Sequence, residues 1–357
     1  MTGRLLGDAG ADVIKVETSA GDRTRGWVPQ KDGTGVAFIT LNRNKRSIVL
    51  DHKSAEFSAL IDTADVLVVD QGLLEVASVM AESPRVIVCV ISGWGSRGPW
   101  ANRPGGELAA QMAAEATLSL GRIAEEPVRI GTDHASIQTA LHAMQAITAA
   151  LFAFEGTGQR IDVSLFGSLL NMRSTMWAAL SNPDSWRGFH LDSYVKPPEY
   201  GYTCRDRRIF FSVGRVDDIR ALLRDLKMDF VVEDSRWPMF SRDVGGGLGQ
   251  NSHLVHDLWD QGLSAWTFAE AAEIIESHGG FVFPFFTFED FVADAHVQEM
   301  GLITEETFPS GTPFRDLRPP WIFSETPASI RRPAPTLDQH GPEVRSEIAK
   351  LQTKLPD

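Results

Sequence analysis

Arginine and lysine gather in two short segments near the start of this 357-residue chain, GDRTR (Gly21–Arg25) and NKRS (Asn44–Ser47), each beside a β-branched run. A guanidinium can grip a phosphate with two parallel hydrogen bonds, and a lysine adds a point charge. In open α/β sheets ligands bind where the chain leaves the strands, and both segments are expected at that edge. Arg103, in RPGGE, is a further basic group of this kind. A different chemistry is open to Asp133 and Ser136, three residues apart where a helical pattern begins. Side chains three apart on a helix are neighbours, at about 5–6 Å. A helix start also supplies free N–H groups and a positive potential. Thr132 or Asp133 is the natural N-cap there.

Other motifs carry less. Gly93, Gly95 and Gly98 follow an apolar strand and fit the dinucleotide pattern G-x-G-x-x-G, but Pro99 follows at once and no clean helix opens. Ser96 in WGSRG falls one glycine short of a nucleophile elbow, because Trp94 holds the first position. His253 and His256 lie in an amphipathic helical pattern without the carboxylate or histidine spacing of a metal site, so no metal is expected. GGGLGQ (Gly245–Gln250) reads as a surface loop.

The elements that must position these residues alternate. Short apolar strands at 12–17, 47–50, 66–69 and 86–92 are separated by helical segments, the pattern of a parallel sheet covered by helices. Gly10 suits the turn that ends a helix over Leu5–Ala9. The best helix is 134–154, where Ile137, Leu141, Met144, Ile147 and Leu151 form an apolar stripe. The expected organisation is a large α/β domain over 1–185, a proline-marked linker at 186–204 and a small α+β domain at 205–304. A segment at 305–357 then returns to the large domain. Within the small domain a strand is expected at Arg207–Arg215, helices around 217–227 and 267–277, and an apolar run at Phe281–Phe286.

Composition narrows the function classes. The net charge is −13, and the eighteen acidic against five basic residues of 217–306 account for all of it. Nucleic acid is a poor partner for such a molecule, whereas residues 1–51 hold eight basic against six acidic groups and can receive an anion. No stretch reaches the roughly 18 apolar residues of a membrane span, and no basic-then-apolar leader begins the sequence. Two cysteines, Cys89 and Cys204, make no disulfide framework, so a cytoplasmic protein is expected.

Taken together, the segments closely resemble the family III CoA-transferases, the group that includes formyl-CoA and carnitine CoA-transferases and 2-methylacyl-CoA racemases. The resemblance rests on LLGDAGADVIKVE, GDRTR and LNRNKRSIVLD within residues 5–51, and on IDTADVLVVD (61–70). It continues through SPRVIVCVISGWGSRGPWANRP (83–104) and ALHAMQAITAAL followed by GTGQRIDVSLF. It ends in RRPAPTLDQHGPEV, where Gln339 and His340 take the usual glutamate–histidine positions. Between 205 and 300 the similarity is pattern more than identity.

The resemblance implies a large Rossmann-like domain with a parallel sheet and a smaller inserted domain, in a homodimer whose subunits interlock. It implies CoA transfer from an acyl-CoA to a carboxylic acid, with CoA as substrate and no other cofactor. Arg25 aligns with the arginine that meets the nucleotide end of CoA, with Lys45, Arg46 and Arg103 as further contacts. The family nucleophile is an aspartate at the start of the central helix, which forms a mixed anhydride and then an aspartyl-CoA thioester. Here Ser136 holds that position in an ungapped alignment, Asp133 lies one turn earlier, and Glu107 is a carboxylate of the active-site neighbourhood. The expected catalytic set is therefore Asp133, Ser136 and Glu107.

The racemase branch matches at one of three positions. Gly106 replaces its histidine and Ser136 its aspartate, while Asp217 sits near its glutamate. An acyl-CoA racemase or isomerase, and a CoA-ester binding homologue with impaired catalysis, are the alternative readings. Family members also carry a strand and a Gly-Pro loop ahead of the first helix, so an upstream segment is expected.

Overall fold

The computed structural model describes residues 1–119, 127–174, 201–213, 219–244, 252–307 and 311–352. The chain divides into two compact units, Met1–Leu120 with Pro127–Met172 and Ala295–Asp357, and Gly121–Glu126 with Arg173–Asp294.

The first unit alternates helix and strand. Helix α1 (Thr2–Asp8) ends before Gly10, whose φ of 115° only glycine adopts easily, and β1 (Val13–Glu17) follows. A 3₁₀ turn at Arg23–Gly26 and a two-strand ribbon, β2 (Gln30–Lys31) and β3 (Thr34–Gly35), lead to α2 (Val36–Asn42) and β4 (Lys45–Val49). Then come α3 (Ala55–Asp62), β5 (Val66–Asp70), α4 (Val76–Glu82) and β6 (Ile87–Ser92). The series closes with α5 (Glu107–Ala113), α6 (His134–Phe152), β7 (Arg160–Ser164) and α7 (Leu165–Met172).

The strands form two parallel ladders. In one, Val13 of β1 stands opposite Lys45 of β4; in the other, β6 lies between β5 and β7, with Val66 opposite Ile87 and Val88 opposite Arg160. Residues Val86–Val90 are at most 2% exposed, as expected of a central parallel strand covered on both faces. Cys89 is packed in this strand, and burial pushes its thiol up to about 11.

Two expectations need correction here. Helix α6 stops at Phe152, and its buried face is Ala135, Thr139, Ala140, Ala143, Ile147 and Ala150. Of the apolar stripe, only Ile147 is fully buried, and Leu151 is 42% exposed. Small side chains let α6 lie close against its neighbours, so bulk on the adjacent stripe faces outward. The second correction concerns NKRS. Lys45 and Arg46 begin β4, so they stand at the N-terminal end of the ladder, opposite the end from which GDRTR departs.

The C-terminal residues complete this unit. Strands β11 (Ile303–Thr307) and β12 (Pro313–Leu317) pair antiparallel. The tail then runs beside β4: Arg331 and Arg332 amides donate to Asn44 Oδ1, the His340 amide to the Ser47 carbonyl, and the Val49 amide to Asp338 Oδ1. Val344 and Ile348 of the helix Gly341–Gln352 bury Ile48, Leu50 and Leu60. The buried Arg43 guanidinium ties Asp8 to Asp316, at 2.7 Å from each.

In the second unit β9 (Arg208–Ser212) lies between β8 (Tyr202–Thr203) and β10 (Phe281–Pro284), all antiparallel. Trp259, Phe211, Phe240 and Leu222 anchor its core. A helix at Ile219–Asp225 falls within the expected 217–227 segment, and Phe268–Ser277 opens on a Thr267–Glu270 capping box. The expected 186–204 linker lies outside the described residues except for its last four, of which Tyr202 and Thr203 are strand. GGGLGQ also lies outside them.

Candidate active site

The glycine loop after β6 sets the position of Glu107. Gly93 and Gly105 lie so close that a Cβ on Gly105 would come within 2.8 Å of the Trp94 ring nitrogen and 3.0 Å of the Gly93 Cα. The Trp94 indole donates to the Pro104 carbonyl, 3.1 Å away, and pins the RPGG segment from which α5 starts. No helix opens at Gly93–Gly98, so the loop is not a dinucleotide cradle. Helix α5 then packs on α6 and α7 through Ala110, Ala114, Ala135 and Leu169. These small contacts bring the first residue of α5 against the first turn of α6.

There the Glu107 carboxylate receives four hydrogen bonds from described residues. Oε1 accepts from the Ala135 amide at 2.7 Å and Gln111 Nε2 at 2.7 Å. Oε2 accepts from the Ser136 amide at 2.8 Å and the Ser136 hydroxyl at 2.7 Å. Every donor is neutral. The negative charge is met by the N-terminal dipoles of α6, nineteen residues long, and of α5 itself. Partial burial pushes the Glu107 carboxyl up, but the bonds from Gln111, Ser136 and the two amides outweigh it. The group is held below its ordinary value.

Asp133 does something else. It stands at the N-cap of α6, yet its side chain caps nothing; it is 63% exposed and pairs with Arg129 at 3.0 Å. The expected N-cap contact is supplied across helices by Glu107, a correction with a simple cause. Two free amides of one helix start are satisfied together by the two oxygens of an incoming carboxylate. Of the expected catalytic set, Glu107 and Ser136 are in direct contact and Asp133 turns to solvent.

The basic residues are scattered. Arg25 gives Nε and Nη2 to the Glu17 carboxylate at 2.9 and 2.6 Å and Nη1 to the Pro335 carbonyl at 3.0 Å, and its guanidinium lies 3.8 Å from the Phe38 ring centre. Arg46 is shared among Asp12, Glu343 and Glu347. Lys45 is buried and donates to the Leu41 carbonyl and Asn42 Oδ1; burial, with Lys15 nearby, pushes it down to about 7. Arg103 alone of the four is exposed, its guanidinium 5.9 Å from the Trp100 ring centre. Trp94, Trp100 and Phe166 form an aromatic cluster beside it, with centroids 5.2–5.8 Å apart.

The sequence reading missed Gln111. Its signal was the spacing Glu107-x-x-x-Gln111, one turn of helix apart. Among the described residues no cluster of metal-ligating side chains exists. His256 pairs with Asp260 at 3.2 Å and stacks on Tyr202. Asp217 lies outside the described residues. No described helix is long and apolar enough to cross a membrane.

Comparison with known proteins agrees with this architecture. Residues 1–341 match the family described as CoA-transferase family III. The succinate–glutarate CoA-transferase of Agrobacterium fabrum is 29% identical over 98% of this chain and 92% of its own length. Human succinyl-CoA:glutarate CoA-transferase is 26% identical over 98% of this chain and 82% of its own. A crystal structure of a CAIB/BAIF family protein from Brucella suis superposes with a TM-score of 0.82 at 28% identity, covering 97% of this chain and 94% of that one.

Proposed function

This chain belongs to CoA-transferase family III, and from that premise we propose that it moves CoA from an acyl-CoA to a carboxylic acid with Glu107 as the covalent carboxylate. One observation carries the assignment: Glu107, and not Asp133, places its carboxylate against the amides and hydroxyl at the start of α6. Oε1 is held by a helix amide and a buried side-chain amide, neither of which can leave. One of the two donors to Oε2 is the hydroxyl of the exposed Ser136, which can rotate away. Oε2 is therefore the reacting atom.

In the reaction Oε2 attacks the thioester carbonyl carbon, the C–S bond breaks and CoA leaves as a thiolate. The thiolate attacks the glutamyl carbon of the resulting anhydride, giving glutamyl-CoA and the released acid. The acceptor carboxylate then attacks glutamyl-CoA, and thiolate attack on the second anhydride delivers the new acyl-CoA and restores Glu107. Every bond broken is matched by one formed and no atom changes oxidation state, so the scheme calls for no oxidant or reductant. The Ser136 hydroxyl, released from Oε2, can donate to each oxyanion in turn. Arg103 is the exposed cation nearest this machinery in sequence and is assigned to the phosphates of CoA.

The names of the relatives make short dicarboxylic acids the first substrates to test. The family resemblance supports a homodimer, and Leu108, Met112 and Phe152, at 48%, 61% and 94% exposure, offer apolar surface for a second copy to cover. Two free, buried cysteines agree with a cytoplasmic setting. The direct test is incubation with succinyl-CoA followed by hydroxylamine, with peptides read by mass spectrometry. A hydroxamate on Glu107 is expected; a hydroxamate on Asp133 overturns the assignment. CoA-ester binding without adduct or turnover would select the binding-homologue reading, and loss of the α-proton without transfer the isomerase reading.

A further inference from the structure

Gln111 is fully buried, yet it makes two polar contacts that join three parts of the site. Its Nε2 donates to Glu107 Oε1 at 2.7 Å, and its Oε1 accepts from the Ile130 amide at 3.0 Å. The direction of the amide is fixed by chemistry: an ionised carboxylate only accepts and a backbone N–H only donates. One side chain on α5 therefore sets both the Glu107 carboxylate and the segment that leads through Asp133 to α6. We propose that Gln111 is the positioning residue of this site, holding Glu107 Oε1 so that Oε2 alone faces the thioester. The inference rests on the reading of Glu107 as the reacting carboxylate.

The alternative would be a core glutamine that merely satisfies a loop amide. That role needs only the Oε1 contact to Ile130. The Nε2 contact goes instead to an atom of the proposed nucleophile, and among the described residues no other side chain donates to Oε1. Without Gln111 the carboxylate keeps the Ala135 amide but gains a free lone pair on Oε1, and rotation about the last torsion presents either oxygen. Misplacement of a reacting atom by about 1 Å can cost on the order of a hundredfold in rate.

Two substitutions separate the roles. Gln111→Glu retains an acceptor for Ile130 and sets a second carboxyl against Glu107; Gln111→Met removes both contacts at similar volume. The charged groups on the elements packed against α5 are Arg129, Asp133, His134 and His142 on α6 and its approach, and Glu115 after α5; α7 carries none. The test follows the Glu107 carboxyl carbon by ¹³C NMR across pH, with the signal assigned by its loss in Glu107→Gln. Steady-state transfer from succinyl-CoA to glutarate is measured alongside.

In Gln111→Glu the Glu107 titration and the acid limb of kcat are both expected to move up by about one pH unit or more. In Gln111→Met kcat is expected to fall about tenfold or more, with KM for succinyl-CoA within about twofold. Lowered melting temperatures with an unmoved Glu107 titration and unchanged kcat per folded molecule would overturn the inference. If Glu107→Gln retains full turnover, the reading of Glu107 as nucleophile fails, and the positioning role falls with it. If Glu107→Gln is inactive and the Gln111 variants behave as wild type, only the inference about Gln111 fails.

Discussion

Two glutamates of the first unit answer the same question in opposite ways. Glu17, at the end of β1, has a side chain 1% exposed and accepts from Arg25, the Ser47 hydroxyl and the Asp22 amide. Glu107 accepts four hydrogen bonds from described residues as well, but none of these comes from a cation. Both carboxyls are held below their ordinary values, Glu17 because Arg25, Ser47 and the Asp22 amide outweigh its burial. A carboxylate neutralised by a bidentate guanidinium has no charge left to offer and serves as structure. One held only by neutral dipoles stays ionised and keeps its charge for a substrate. The difference supports reading Glu17 as part of the fold and Glu107 as the proposed reacting carboxylate.

The largest expected effect breaks the comparison at Glu107. Glu107→Gln keeps an oxygen for the helix start but cannot attack a thioester, so transfer should fall on the order of 10⁴-fold or more. Asp133→Asn should stay near wild type. Steady-state CoA transfer checks both, and a collapse in Asp133→Asn with survival in Glu107→Gln would reverse the two roles.

Glu17→Gln should act on stability. Removing one partner of a buried pair strands the other charge, at a cost of about 3–5 kcal/mol. Urea unfolding should show this loss while kcat per folded molecule stays within about twofold. The pH dependence follows from the sign of the shift. A carboxyl lowered in the folded state contributes fully above its unfolded value of about 4.3 and loses that contribution as pH falls through the folded value. The stability gap between wild type and Glu17→Gln should therefore be constant at neutral pH and shrink below about pH 4.3.

Ser136 lies on the line between the two behaviours, since it caps Glu107 at rest and is free to donate during reaction. Ser136→Ala should lower kcat on the order of 10²-fold, the usual effect of losing one oxyanion donor. Its stability cost should stay near about 1 kcal/mol, and the Glu107 hydroxamate should still form.

Much of the fold was legible because it is written locally. The runs Val13–Val16, Val66–Val69 and Val86–Ile91 are short and β-branched, which favours parallel strands over helices, and helical spacing marks α6 directly. The site was legible only as an inventory. Asp133, Ser136 and Glu107 could be named, but which carboxylate meets the helix start depends on α5 packing against α6 through alanines, a contact between distant segments. The basic residues misled for a related reason. Lys45 and Arg46 look available in sequence, whereas partners up to 301 residues away, such as Glu347, claim Arg46 in the folded chain. Gln111 was invisible as a functional residue because a buried glutamine has no sequence mark beyond its spacing from Glu107.

The arginines repeat the contrast of the glutamates, and the smallest predicted effect tests it there. The Arg25 guanidinium is spent on Glu17 and Pro335, so Arg25→Ala should lower stability and leave KM for succinyl-CoA unchanged per folded molecule. Arg103 is exposed and rests near the Trp100 ring, with no carboxylate partner among the described residues. A phosphate would meet little competition there. Arg103→Ala should raise KM for succinyl-CoA by about 3–10-fold, the loss expected of one ordinary hydrogen bond, since solvent weakens the charge-assisted contact at an exposed position. Its kcat should stay within about twofold, because the proposed reacting atoms lie with Glu107 and Ser136. Added salt should weaken wild-type binding more than that of the variant, since screening acts on the charge the variant lacks. Should KM move with Arg25→Ala and stay fixed with Arg103→Ala, the guanidinium bound to Glu17 would be the one that exchanges partners for CoA, and the division between held and available charges would fail at the N-terminal segment.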